Sequence, residues 1–170
     1  MIGGIGMSNK LKKVDYTVHW VTDYDPKTKK QMSKKREFIN GMCDAHTHGL
    51  DKYGSYELQI VIDAPDAYSF LFEKIARQIA SGQLKLEDGM ILKGMFSDGA
   101  DLRVDKHLQY INGYAEKPEY VWRLIIPDGE FKMPEESEEV PYCFQTLEPT
   151  RDYWKTVYKL EGKEWPEDWD

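Results

Sequence analysis

The stretch from His46 to Gly82 constrains this chain more than any other, because it sets a polar turn, an alternating strand and an amphipathic helix side by side without interruption. Tyr56, Leu58, Ile60 and Ile62 fall on one face of an extended segment, with Glu57, Gln59 and Val61 on the other. That period of two predicts a strand covered on one side. Asp63 is placed to cap a helix that has Pro65 in its first turn and Asp66 near its positive end. Tyr68, Leu71, Phe72, Ile75, Ala76 and Ile79 then form one apolar stripe, Glu73 and Arg77 pair on the opposite side, and Gly82 supplies the stop. A helix carrying such a stripe has to lay it on something, and the strand just before it is the nearest partner.

Other segments extend this pattern. Residues 14–24 are rich in β-branched and aromatic side chains and alternate, with Tyr16, Val18 and Trp20 on one face and Thr17, His19 and Val21 on the other. Asp25-Pro26 opens a turn, and a solvated lysine-rich loop follows as far as Arg36. Residues 90–96 and 101–106 read as a hairpin around Ser97-Asp98-Gly99, and residues 107–113 as a short helix. Residues 120–126 form a strand that buries Trp122, Leu124 and Ile126 and ends at Pro127-Asp128-Gly129. A last helix is expected over residues 151–161, with Tyr153, Trp154, Val157, Tyr158 and Leu160 on its apolar face and Gly162 as its stop. The pattern predicts one α+β domain over residues 1–170, a mainly antiparallel sheet packed against one long amphipathic helix, with a short C-terminal helix. Residues 1–9 form a leader outside the fold, 45–147 the core, and 148–170 an aromatic helix with an acidic tail.

The chain has 170 residues, 41% of them hydrophobic, enough for one core. It contains no apolar run of the roughly 20 residues a bilayer span needs, and its start lacks the apolar core of a secretory signal. A cytoplasmic location without membrane contact is the expectation. Cys43 and Cys143 are the only cysteines and are expected as two reduced thiols. Nine basic residues against four acidic ones crowd positions 10–37, whereas positions 128–140 hold six acidic residues against Lys132. A net charge of −7, and a basic segment without interleaved aromatics, disfavour nucleic acid.

The sharpest local string is Asp44-Ala45-His46-Thr47-His48. Metal-dependent amidohydrolases end their first barrel strand on such a pattern, since a period of two aims both imidazoles at one ion. Only 122 of the 170 residues follow His48, too few for the roughly 200 or more that a (β/α)₈ barrel takes. A smaller site is left, built on Cys43, His46 and His48 with His107 or Cys143 as further candidates for zinc or another divalent metal. No nucleophile elbow, thiol-protease signature or phosphate-cradling glycine loop accompanies it.

Thr47-His48-Gly49-Leu50, then Tyr56-Glu57-Leu58 opening a strand, then a proline-started amphipathic helix and finally Leu124-Ile125-Ile126-Pro127-Asp128-Gly129 before Phe131 and Pro134, is an order that resembles the bacterial family called domain of unknown function 4262. The resemblance spans residues 45–147, with His48 where that family usually has Val and Ile126 where it usually has Trp. It brings no established reaction. The expected function is a non-enzymatic binding or protein-interaction module without a cofactor, its partner a protein or a small molecule. Its working surface is expected at Thr47, Tyr53, Tyr56, Trp122, Asp128 and Phe131. An acidic inhibitor or immunity-type protein facing its target with Glu135, Glu136, Glu138 and Glu139 is one form of it. The enzymatic alternative is a small metal-dependent hydrolase using His46 and His48.

Overall fold

The computed structural model describes residues 13–21, 41–109 and 119–146, with residues 159, 162 and 164. Six strands form one sheet: β1 (Thr17–Val21), β2 (Met42–His48), β3 (Glu57–Ile62), β4 (Met90–Leu92), β5 (Leu102–Gln109) and β6 (Glu119–Ile125). A helix, α1 (Pro65–Ala80), follows β3, and short 3₁₀ turns occupy Leu50–Tyr53 and Tyr142–Phe144. The strands lie in the order β1-β2-β3-β6-β5-β4.

The strand order corrects the expected architecture. The sheet is the dominant element and is mixed, since β3 runs parallel to β6 while the other four pairings are antiparallel. A parallel pair needs a long crossover, and here α1, β4 and β5 all lie between its two members. Among the described residues α1 is the only helix of seven or more residues, so the layout of a mainly antiparallel sheet on one long helix with a second helix at the C-terminus does not hold. The segment expected to form that second helix, residues 151–161, lies almost wholly outside the described residues. The short helix expected over residues 107–113 is replaced at its start by β5, which continues to Gln109.

Two layers of side chains lie against the sheet. On one face Cys43, Ala45, Leu58, Ile60, Ile62, Leu102, Val104 and Leu124 meet the α1 stripe of Tyr68, Leu71, Phe72, Ile75, Ala76 and Ile79 in a single core. Burying each large aliphatic or phenyl side chain there contributes about 1.5–3 kcal/mol. The helix begins with Pro65 in its first turn, but the cap residue is Ala64, not Asp63, and it makes no side-chain cap hydrogen bond. β3 was expected to be covered on one side, yet all six of its residues are buried. As a central strand it is covered on its second face by side chains of β2 and β6 and by the segment that returns after β6 through Gln145. That second face carries Asp44, His46, His48, Gln59, Arg123 and Asp105 beside the apolar Val61, Val121 and Ile125. No helix among the described residues is long and apolar enough to cross a membrane.

Candidate metal centre

The polar turn expected from His46 onward is strand as far as His48, the end of β2 (Met42–His48). Strand alternation sends Cys43, Ala45 and Thr47 one way and Asp44, His46 and His48 the other. Antiparallel pairing with β1 then sets His19 opposite His46 and Thr17 opposite His48, which brings a third imidazole to the same face. His46 is buried, His48 half-buried and His19 exposed, so the cluster grades from interior to surface. Ring centroids are 4.8 Å apart for His46 and His48, 4.2 Å for His19 and His48, and 5.5 Å for His19 and His46.

These three rings offer nitrogens that all lie within 4.8 Å of one another. The Nε2 atoms of His46 and His48 are 3.1 Å apart. Two imidazole ligands on a tetrahedral zinc at about 2.0–2.1 Å stand roughly 3.3–3.4 Å from each other, so this pair needs only a few tenths of an ångström of adjustment. Behind the cluster, His46 Nδ1 lies 2.9 Å from Asp44 Oδ1. Burial works to raise the Asp44 carboxyl, but the hydrogen bond and charge of His46, the Gln59 amide and the Arg123 guanidinium outweigh it and hold the group below the ordinary carboxylate range. An ionised Asp44 can only accept, so His46 donates from Nδ1 and turns the lone pair of Nε2 toward His48. Burial, then the neighbouring His46 and His19, hold the His48 imidazole below its ordinary value against the opposing pull of Glu57 and Glu119. At neutral pH it is the uncharged, ligating form.

A cleft of about 620 Å³ opens beside His48, lined also by Asp51, Tyr56, Glu57, Glu119 and Tyr120. Glu57 is committed to the backbone: its carboxylate accepts from the Thr47 hydroxyl at 2.9 Å, from Leu50 N at 3.0 Å and from Gly49 N at 3.2 Å. That clasp ends β2 just past His48. Gly49 follows at φ 118°, and a Cβ there would stand 3.0 Å from the Asp15 carbonyl oxygen, so the chain can turn at this point only with glycine.

The structure separates the other expected site residues from this cluster. Cys43 is on the α1 side, its thiol donating to the carbonyls of Ile62 at 3.4 Å and Ile60 at 3.8 Å. Burial, then Asp63 and Asp44, push that thiol far above its ordinary value. Neither His107 nor Cys143 joins the cluster. Thr47, expected at a working surface, is fully buried and donates to Glu57 while accepting from Leu58 N. Tyr53 accepts a hydrogen bond from Asp15 N. Tyr56 stacks with Tyr120 and Trp122 at 5.6 and 5.2 Å, and Lys106 Nζ sits 4.2 Å from the Tyr120 ring centre. Asp128 is buried within its own loop, accepting from Glu130 N, Lys132 N and the Ser137 hydroxyl, whereas Phe131, like Tyr56, is exposed to solvent. The acidic face is partly spent internally, since Glu135 grips Arg103 through two bonds of 2.6 and 2.9 Å and Glu139 accepts from Gly129 N.

His19 is the member of the cluster that the sequence reading missed. It lies on the same face of its strand as Thr17, but 27 positions before His46, and only the β1–β2 register joins the two. No known family, curated protein or solved structure matches this chain.

Proposed function

We propose that this protein binds one divalent metal ion, zinc by preference, on His19, His46 and His48, and acts as a small metal-dependent hydrolase. The observation that supports it most directly is the convergence of three imidazole nitrogens within 4.8 Å, with a carboxylate on the far nitrogen of the most buried ring. An all-nitrogen set suits zinc, and three protein ligands leave a fourth position open, as catalytic zinc sites do. A metal held there would lower the pKa of bound water and polarise a substrate carbonyl or phosphoryl oxygen. The chain's own residues supply the rest: Asp44 orients His46, and the cleft beside His48 gives a small substrate room next to the open side. The interaction-module reading draws less support, because Thr47 and Asp128 are buried and Glu135 and Glu139 are already bonded within the chain.

Metal analysis of the purified chain after zinc loading and desalting tests the reading. About one equivalent of zinc per chain is expected, falling to background in the His46→Ala/His48→Ala double variant and dropping in affinity by about 10–100-fold or more in His19→Ala. Absence of bound metal from the folded wild-type protein ends the proposal.

A further inference from the structure

We infer that Gln59 is a positioning residue for the metal centre, the amide that fixes which nitrogen of His46 faces the ion; this rests on the metal-site reading above. Gln59 lies on β3 directly opposite His46 of β2 and beside Arg123 of β6, and it is fully buried. Arg123 Nε donates to Gln59 Oε1 at 2.9 Å, and Gln59 Nε2 donates to Asp44 Oδ1 at 3.0 Å. The same Oδ1 faces His46 Nδ1 at 2.9 Å. At its other end Arg123, also fully buried, donates from Nη1 to the carbonyl of Gln145 at 2.8 Å.

This chain of bonds has one allowed polarity. A guanidinium only donates, so the side of the Gln59 amide that meets Arg123 is its oxygen. The NH₂ group is thereby turned to Asp44, where it finds a carboxylate that only accepts. Asp44 Oδ1 is then anchored in place from behind, and the proton that completes its coordination is the one on His46 Nδ1. His46 is left with Nε2 as its only lone pair, aimed at the cluster. An apolar side chain at position 59 would free Asp44 to rotate, and His46 would divide between its two tautomers, one of which cannot bind an ion through Nε2. Both the donor-only end and the acceptor-only end of the relay are charged, so the bonds between them are of the stronger kind.

The test uses the full chain, with two variants. Gln59→Met removes both bonds at similar volume, and Gln59→Asn keeps the amide but shortens it by one methylene so that it cannot span both partners. In the metal-free wild-type protein, ¹⁵N NMR of the imidazoles is expected to show His46 as a single Nδ1–H tautomer, and in each folded variant as a mixture of two. Zinc affinity, measured by competition with a chromophoric chelator, is expected to fall by about 10–100-fold in the variants. A wild-type His46 in the Nε2–H form overturns the inference without recourse to any variant. So does a folded variant that keeps the single Nδ1–H tautomer, or one whose zinc affinity stays within about twofold of wild type. A wild-type protein that takes up no zinc removes the metal-site reading alone; the tautomer comparison then still decides whether Gln59 sets the His46 ring.

Discussion

Which way a single side chain leaves strand β2 decides its chemistry. Cys43 and His46 are close in sequence, yet the odd spacing puts the thiol against α1 and the imidazole against Gln59. Cys43→Ala is therefore expected to leave zinc stoichiometry and affinity unchanged while destabilising the fold by about 1 kcal/mol, because it removes packed atoms from a tight core. Chemical denaturation and zinc titration on the same sample check both halves. Loss of zinc in a folded Cys43→Ala protein would restore the thiol to the ligand set. From sequence, the two histidines of β2 were legible as a pair because a period of two is local. Burial of Gln59 and Arg123 was not, since hydropathy reads both as solvent-seeking, and only their mutual bonds make the interior tolerable for them.

At the scale of elements, the weak member of the site is β1. It is one of the two edge strands of the sheet, and besides its pairing with β2 it is tied down by the residue just before it: Tyr16 Oη donates to Glu73 Oε2 of α1 at 2.6 Å. The Tyr16 hydrogen bond, then that of Arg77, hold the Glu73 carboxyl below the ordinary range. A depressed carboxyl contributes stability in full above its unfolded value of about 4.5 and loses it as pH falls through the lower folded value. Glu73 is 41% exposed, which screens the effect and keeps it small. We expect amide protection at Thr17 and His19, corrected for intrinsic exchange, to drop below about pH 4.5 before α1 loses its own. Glu73→Gln should remove that separate acid step, and its persistence in the variant would show that another group is responsible. α1 itself was legible because six apolar residues at helical spacing leave little choice. The β3–β6 pairing was not, because it joins residues more than 60 positions apart, Leu58 to Trp122 among them, and no local pattern encodes a partner. His19 escaped notice for the same reason.

For the whole molecule, an ion that joins β1 to β2 is a cross-link present only in the folded chain. A ligand bound to the native state alone stabilises it by about 2.7 kcal/mol at a hundredfold excess over Kd, which for a chain of this size is roughly a 5–10 °C rise in Tm. Thermal unfolding with and without zinc checks this, and the His46→Ala/His48→Ala variant should show no rise. A wild-type Tm indifferent to zinc would argue against the centre as firmly as the metal analysis.

The pairing of His19 with His46 across β1 and β2 carries one more consequence. Sliding the border strand by a single residue would present Val18 or Trp20 in place of the imidazole and rotate His19 toward the helix layer. Only the correctly aligned ribbon completes the triad, so the ion would act as a proofreader of strand alignment at this edge of the sheet.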